Sequence, residues 1–373
     1  MPVQIQRLLG FEHYVRDLER MRRFYVERMG FAEVGRSGPE LESSSGQTSL
    51  VFRAGHAFFG CSSPLAERGH AYRYLSRHPE GIATALFEVA DIRSAFVTLE
   101  QNGATPISDV EWFDDAYGRL GCFSITTPFG DTTFRFMQHR GYRGLLPGMQ
   151  TCDMPRHESE FTDIDHVTAN LRTMKPALLW LEHVLEFRPF WGVEFHTADK
   201  SHAGGSGLRS QVMWDAESGV KIANNEPLRP GFERSQISLF CEDNRGDGIQ
   251  HVALGVRDIQ HTVRELRARG VEPMPAPPGY YQRLPMQLRA LGVERIDEDP
   301  SELEQLGILV DGSGPGAYLL QIFLKDAAAI FADAAAGPFF FELIQRKGDA
   351  GFGAGNFRAL FDSVAGQKLA RAG

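Results

Sequence analysis

Residues 248–273 read GIQHVALGVRDIQHTVRELRARGVEP, and residues 81–106 read GIATALFEVADIRSAFVTLEQNGATP. Set side by side without a gap, they agree at Gly81/Gly248, Ile82/Ile249, Val89/Val256, Asp91/Asp258, Ile92/Ile259, Leu99/Leu266, Gly103/Gly270 and Pro106/Pro273. Each block is an apolar strand running into Asp, a residue suited to cap a helix because its carboxylate accepts orphan amides of the first turn. Apolar residues then recur on one helical face (Ile92, Phe96, Leu99; Ile259, Val263, Leu266), and Gly closes each helix where a left-handed conformation is easiest. The chain carries this strand-helix unit twice.

Working outward, residues 11–31 resemble residues 164–187, pairing His13 with His166, Leu18 with Leu171 and Met21 with Met174. On that pairing the second copy has a slightly longer helix, with the stripe Met174, Leu178, Leu181, Leu185 on its buried side. Residues 134–138 (FRFMQ) match 341–345 (FELIQ), both alternating as strands do. Three blocks recurring in the same order imply an α+β chain of four strand-helix-strands modules, two in a domain of residues 1–152 and two in a domain of residues 153–373.

Composition narrows the function. A chain of 373 residues, 42% hydrophobic and 23% charged, is of ordinary globular balance and long enough for two domains. A net charge of -9 disfavours binding to nucleic acid, which needs a basic face. No run of 18 apolar residues is present and residues 1–15 lack a signal-peptide core, so a cytoplasmic protein that neither spans nor binds a membrane is expected. Cys61, Cys122, Cys152 and Cys241 show no CxxC spacing, which fits reduced, mostly buried thiols.

The duplication also sets up a chemical contrast. The first half offers His13, Thr84 and Arg135 where the second offers His166, His251 and Glu342. Two imidazoles and one carboxylate make the facial triad that holds non-haem Fe(II) and leaves open positions. A cation at Arg135 disqualifies the first half. A lone His at a strand start is more often a structural residue, and a salt bridge is the bland account of Glu342. Their matching strand positions argue for ligands. Of the other histidines, His183 lies off the apolar stripe and is expected to be exposed, and His196 and His202 read as loop residues.

The second half resembles a known family. DHV around His166, NEP at 225–227, SQI at 235–237, GIQHVAL around His251, PPGYY at 277–281, LGILVD at 306–311, LLQIF at 319–323, FELIQRKG around Glu342 and GFGAGNF at 351–357 follow in family order. With the duplicated modules they are similar to the vicinal oxygen chelate superfamily, whose fold is paired βαβββ modules, and within it to the 4-hydroxyphenylpyruvate dioxygenases. The resemblance implies Fe(II) on His166, His251 and Glu342, and a 2-oxo acid substrate with O2 as co-substrate. It also implies oxidative decarboxylation, ring hydroxylation and side-chain migration to give homogentisate. It places Ser210, Asn225 and Gln236 around the phenol end, Gln250, Gln321 and Phe323 near the metal, and Phe340, Phe352 and Phe357 as aromatic walls. Asn356 belongs to the same terminal segment, which is expected to form a lid with a helical stretch over residues 356–364. The first half would serve as scaffold and as the surface of a homo-oligomer.

One position departs from the family pattern: Ala223 stands where Pro is usual, two residues before Asn225. The related 4-hydroxymandelate synthases, which oxygenate the benzylic carbon, also change this wall, but they carry an apolar residue at the place of Asn225. A glyoxalase-type lyase would need more carboxylates than Thr84 and Arg135 supply. An extradiol dioxygenase would keep a His or Tyr acid–base residue near the metal. A metal-free binding protein would show a broken triad.

Overall fold

The computed structural model describes residues 3–144, 146–152, 159–196, 207–229, 231–232, 235–353 and 355–356. His202, Phe357 and most of the expected lid lie outside the described residues. Module one is β1 (Ile5–Tyr14), α1 (Leu18–Arg23, continued by a π-helical turn Phe24–Arg28), β2 (Ala32–Ser37), α2 (Pro39–Ser45), β3 (Gln47–Ala54), β4 (Ala57–Pro64) and α3 (Gly69–Leu75). Module two is β5 (Gly81–Val89), α4 (Ile92–Gln101), β6 (Glu111–Asp114), β7 (Arg119–Ile125) and β8 (Thr133–Arg140), followed by the short β9 (Met149–Thr151).

Module three is β10 (Phe161–Asn170), α5 (Lys175–Val184), β11 (Arg188–His196), β12 (Gly207–Trp214), β13 (Lys221–Leu228) and α6 (Gln236–Asp243). Module four is β14 (Gly248–Val256), α7 (Ile259–Ala268), α8 (Tyr280–Ala290), α9 (Pro300–Leu306), β15 (Leu309–Gly314), β16 (Ala317–Phe323), α10 (Ala327–Phe331) and β17 (Phe340–Lys347). The expected caps are present: Asp91 accepts from the Ser94 amide and Asp258 from the His261 amide, while Gly103 and Gly270 close α4 and α7 at φ +93 and +78.

The modules assemble in pairs. One sheet runs β6-β7-β8-β5-β1-β4-β3-β2-β9 and the other β11-β12-β13-β10-β14-β17-β16-β15. At each centre the opening strands of two modules run antiparallel (β1 with β5, β10 with β14), and each lies parallel to the last long strand of its own module. The halves share one apolar core. Phe59 meets Phe341 at 5.3 Å between ring centres, Phe31 meets Phe161 at 5.1 Å and Phe134 meets Trp180 at 5.7 Å. Edge-to-face contacts of this kind add about 0.5–1.5 kcal/mol each beyond area burial.

The strand register corrects one expectation. His166 stands opposite Ala253 and Thr168 opposite His251; in the first half Gly10 stands opposite Leu86 and Glu12 opposite Thr84. Gly10, not His13, therefore matches His166. One gapless offset carries Gly10 onto His166, Val15 onto Leu171, Tyr25 onto Leu181 and Phe31 onto Phe187, and equivalent backbone bonds close both helices (Phe31 to Tyr25, Phe187 to Leu181). The second helix is not extended; the recurring Leu and Met are one helical turn out of step. Thr84 with His251 and Arg135 with Glu342 stand as aligned. His183 is exposed as expected, whereas His196 ends β11 instead of lying in a loop.

Candidate active site

Three adjacent strands bring the triad together. The inward row of the second sheet runs from His166 through Ala253 to Glu342 and Phe323, and the next row runs Val212, Ala223, Thr168, His251, Phe340. His166 Nε2 and His251 Nε2 each lie 3.3 Å from Glu342 Oε2, and all three side chains are buried. Their ligand atoms fall within 4.8 Å of one another, a spacing at which one metal ion would meet all three.

The way each imidazole is aimed has a local cause. Of three register shifts between β10 and β14, two are bulges beside the histidines, one leaving Asp165 extra before His166 and the other leaving Gln250 extra before His251. A bulge turns the extra residue toward its neighbour's side of the sheet. Asp165 Oδ1 thereby sits 2.9 Å from His166 Nδ1, and Gln250 Oε1 sits 3.1 Å from His251 Nδ1. Both rings donate from Nδ1 and present Nε2 to Glu342, the arrangement metal-ligating histidines adopt. Gln250, expected to line the cavity, holds the back of His251. The first half keeps both bulges but fills them with Leu9 and Ala83, ahead of Gly10 and Thr84. There Glu12, at the place of Thr168, pairs with Arg135 at 2.9 Å. A Cβ on Gly10 would lie 2.0 Å from the Phe58 carbonyl oxygen, so no ligand side chain fits.

The charges follow from these partners. Burial raises the Glu342 carboxyl, but His166 and His251 outweigh it and hold it down at about 2. Burial lowers the His166 ring, yet the Glu342 and Asp165 carboxylates bring it above its ordinary value. His251, backed by a neutral amide, goes down under burial. Glu342 Oε1 accepts from Gln321 Nε2 at 2.8 Å, Gln321 Oε1 accepts from Asn356 Nδ2 at 2.9 Å, and Asn356 Oδ1 accepts from the Tyr280 hydroxyl at 2.8 Å.

The expected pocket residues converge on the same face. Ser210, Asn225 and Asn170 stand in one cross-strand row, and Asn225 Nδ2 donates to Asn170 Oδ1 at 3.0 Å. Ser210 Oγ, Asn225 Oδ1, Gln236 Oε1, Thr168 Oγ1 and Asn170 Nδ2 are buried without a partner among the described residues. Such a concentration is costly in a folded protein unless water or a ligand completes it. Phe352 lies 4.5 Å from the His166 ring and packs on Val212 and Ala223; Phe340 stacks on His251 at 4.8 Å, and Phe323 lies 6.2 Å from it. The Phe352 ring covers the wall that Ala223 leaves low. Sequence reasoning missed Asp165, Arg346, Thr168 and Asn170. Asp165 and Arg346 stand inside the quoted motifs DHV and FELIQRKG, which were read for their ligands; Thr168 and Asn170 fall just past DHV, where strand alternation was the one available signal.

Two buried imidazoles and a carboxylate on paired βαβββ modules mark a chain of the glyoxalase–dioxygenase class. The family model described as Glyoxalase/Bleomycin resistance protein/Dioxygenase superfamily matches residues 7–132 and 163–307. A 4-hydroxyphenylpyruvate dioxygenase of Dictyostelium discoideum is 32% identical, covering 97% of this chain and 99% of its own. That of Coccidioides posadasii is 33% identical over 99% of this chain and 96% of its own. Among solved structures, a triple mutant of 4-hydroxymandelate synthase from Streptomyces coelicolor superposes with a TM-score of 0.81 at 25% identity, covering 99% of this chain and 100% of that one. The chain is an enzyme of the 4-hydroxyphenylpyruvate dioxygenase family.

Proposed function

We propose that this chain converts 4-hydroxyphenylpyruvate and O2 to homogentisate and CO2, a step of tyrosine breakdown, with Fe(II) held by His166, His251 and Glu342. The observation that carries the reading is the meeting of both Nε2 atoms on Glu342 Oε2 at 3.3 Å, in a chain of this family. The donor set fits a ferrous ion: two neutral nitrogens and one carboxylate, with faces left open. When bound, the metal supplies the redox chemistry and the open positions that a 2-oxo acid and O2 require. Two imidazoles and one carboxylate would leave a ferrous centre with a net charge of +1. A singly charged 2-oxo acid neutralises it in a buried site where unpaired charge is costly.

The remaining residues bind and orient. Phe323, Phe340 and Phe352 enclose the aryl ring in apolar surface and exclude water. Ser210, Asn225 and Gln236, joined by Asn170, supply unpartnered polar atoms for a phenol oxygen. Gln321 keeps Glu342 turned toward the histidines. The four cysteines, scattered and mostly buried, support a reducing, cytoplasmic setting. Residues 1–152 act as a scaffold domain packed through the shared core against a catalytic domain of residues 153–373.

A second reading, benzylic hydroxylation to 4-hydroxymandelate, is favoured by the likeness to the Streptomyces synthase. Polar Asn225 at the ring end and the curated relatives support the first. The test is to supply Fe(II), 4-hydroxyphenylpyruvate and air, and to identify the product by chromatography and mass. Homogentisate is expected; 4-hydroxymandelate as main product would replace the first reading by the second.

A further inference from the structure

We infer that Arg346 is a positioning residue that fixes His166 through Asp165 and ties this ligand to the turn of chain carrying Phe352. The inference rests on the reading of His166 as a metal ligand. The Asp165 carboxylate accepts two parallel bonds from Arg346, Nε to Oδ2 at 2.6 Å and Nη2 to Oδ1 at 2.7 Å. Oδ1 is also the atom that meets His166 Nδ1. The imidazole therefore cannot rotate without disturbing a bidentate ion pair, the strongest and most directional kind. The third guanidinium nitrogen is engaged as well: Nη1 donates to the Asp349 carbonyl at 3.0 Å and the Gly351 carbonyl at 2.7 Å. The next residue is Phe352, whose ring lies against His166. One side chain thus holds the ring that meets the metal and the backbone of the ring that packs on it.

Two contrasts inside the molecule argue that the bracket serves the ligand and not the fold. His251 is held from behind by the neutral amide of Gln250. In the first half the equivalent positions are Leu9 and His139; Leu9 has no charge to offer and His139 faces Glu88 at 3.3 Å instead, so those bulges and strands form without an ion pair between the two positions. Lysine cannot substitute, because a single ammonium cannot bridge a carboxylate bidentately and reach two carbonyls.

The test uses the full chain, stripped of metal by a chelator and titrated with Co(II) by calorimetry. Amide exchange of Gly351, Phe352, Gly355 and Asn356 is followed with and without the metal. Parent, R346K, R346M and D165N are compared, with circular dichroism reporting the fold. Loss of a partner behind a ligating histidine costs roughly 10–100-fold in metal affinity, and that loss is expected for all three variants. Co(II) should slow exchange of these amides in the parent but not in R346K or R346M. D165N, which keeps the arginine–carbonyl bonds, should keep slow exchange without metal. R346K binding Co(II) within about two-fold of the parent with metal-dependent slowing intact would overturn the inference. If R346M fails to fold, R346K and D165N decide. A parent that binds no metal would instead overturn the functional reading, and the exchange measured without metal would still report whether Arg346 holds this turn.

Discussion

Thr168 shows how much one side chain can reveal about what a pocket expects. It is buried between the triad and the ring-end polar row, directly across from His251, and its hydroxyl has no partner among the described residues. A buried hydroxyl without a partner costs about 1–3 kcal/mol. Removing it at constant shape, Thr168→Val, should therefore stabilise the ligand-free chain by about 1 kcal/mol, read as a rise of a few degrees in Tm. The same change should raise KM for an aryl pyruvate several-fold, because the pocket loses a group that binds substrate or its bridging water. A variant with unchanged Tm and unchanged KM would mean that Thr168 already has a partner. Strand alternation alone puts Thr168, two residues on from His166, on the same face of β10. What alternation could not show is that its hydroxyl stays unmet, since that depends on strands distant in sequence.

The informative elements are the bulged central strands. Four modules, their order and the capped helices α4 and α7 were legible, because strand, Asp cap, apolar stripe and closing Gly all lie within one short stretch. The match of β1 with β10 was not, because the recurring His, Leu and Met offered a more attractive alignment one turn away. Only pairing across the sheet, where Gly10 faces Leu86 as His166 faces Ala253, fixes the register. Bulges are equally hidden, since an extra residue leaves no mark on composition. A consequence can be measured at Gly10, where β1 passes so close to β4 that a Cβ would lie 2.0 Å from the Phe58 carbonyl oxygen. Backbone cannot yield as a side-chain tip can, so Gly10→Ala should cost about 2–3 kcal/mol in chemical denaturation. Metal binding by the folded fraction should match the parent's, because no ligand lies in that half. A neutral substitution would mean the two strands can part without cost.

At the scale of the whole molecule, the two halves meet through an apolar core against which the buried imidazole of His13 packs. It is fully enclosed, packs on Phe339, just ahead of β17, at 5.5 Å, and shares a hydrogen bond with the Tyr25 hydroxyl at 3.1 Å. Its Nε2 has no partner among the described residues, and burial, aided by Arg20, pushes its pKa down to about 3. The folded chain therefore keeps His13 neutral where the unfolded chain, near 6.5, takes up a proton. Stability from this residue is complete above about pH 6.5 and declines as pH falls toward 3, with a limiting slope on the order of 1 kcal/mol per pH unit. Ordinary carboxyls are mostly ionised in both states between pH 6.5 and 5, so a comparison of variants in that window isolates imidazoles. Substituting His13→Phe keeps an apolar ring in the interface, with Cys61 still beside the Tyr25 hydroxyl. The parent should lose more stability than the variant on going from pH 7 to pH 5. Urea midpoints at the two pH values read the difference directly, and equal losses would mean that the interface admits water or a proton to His13.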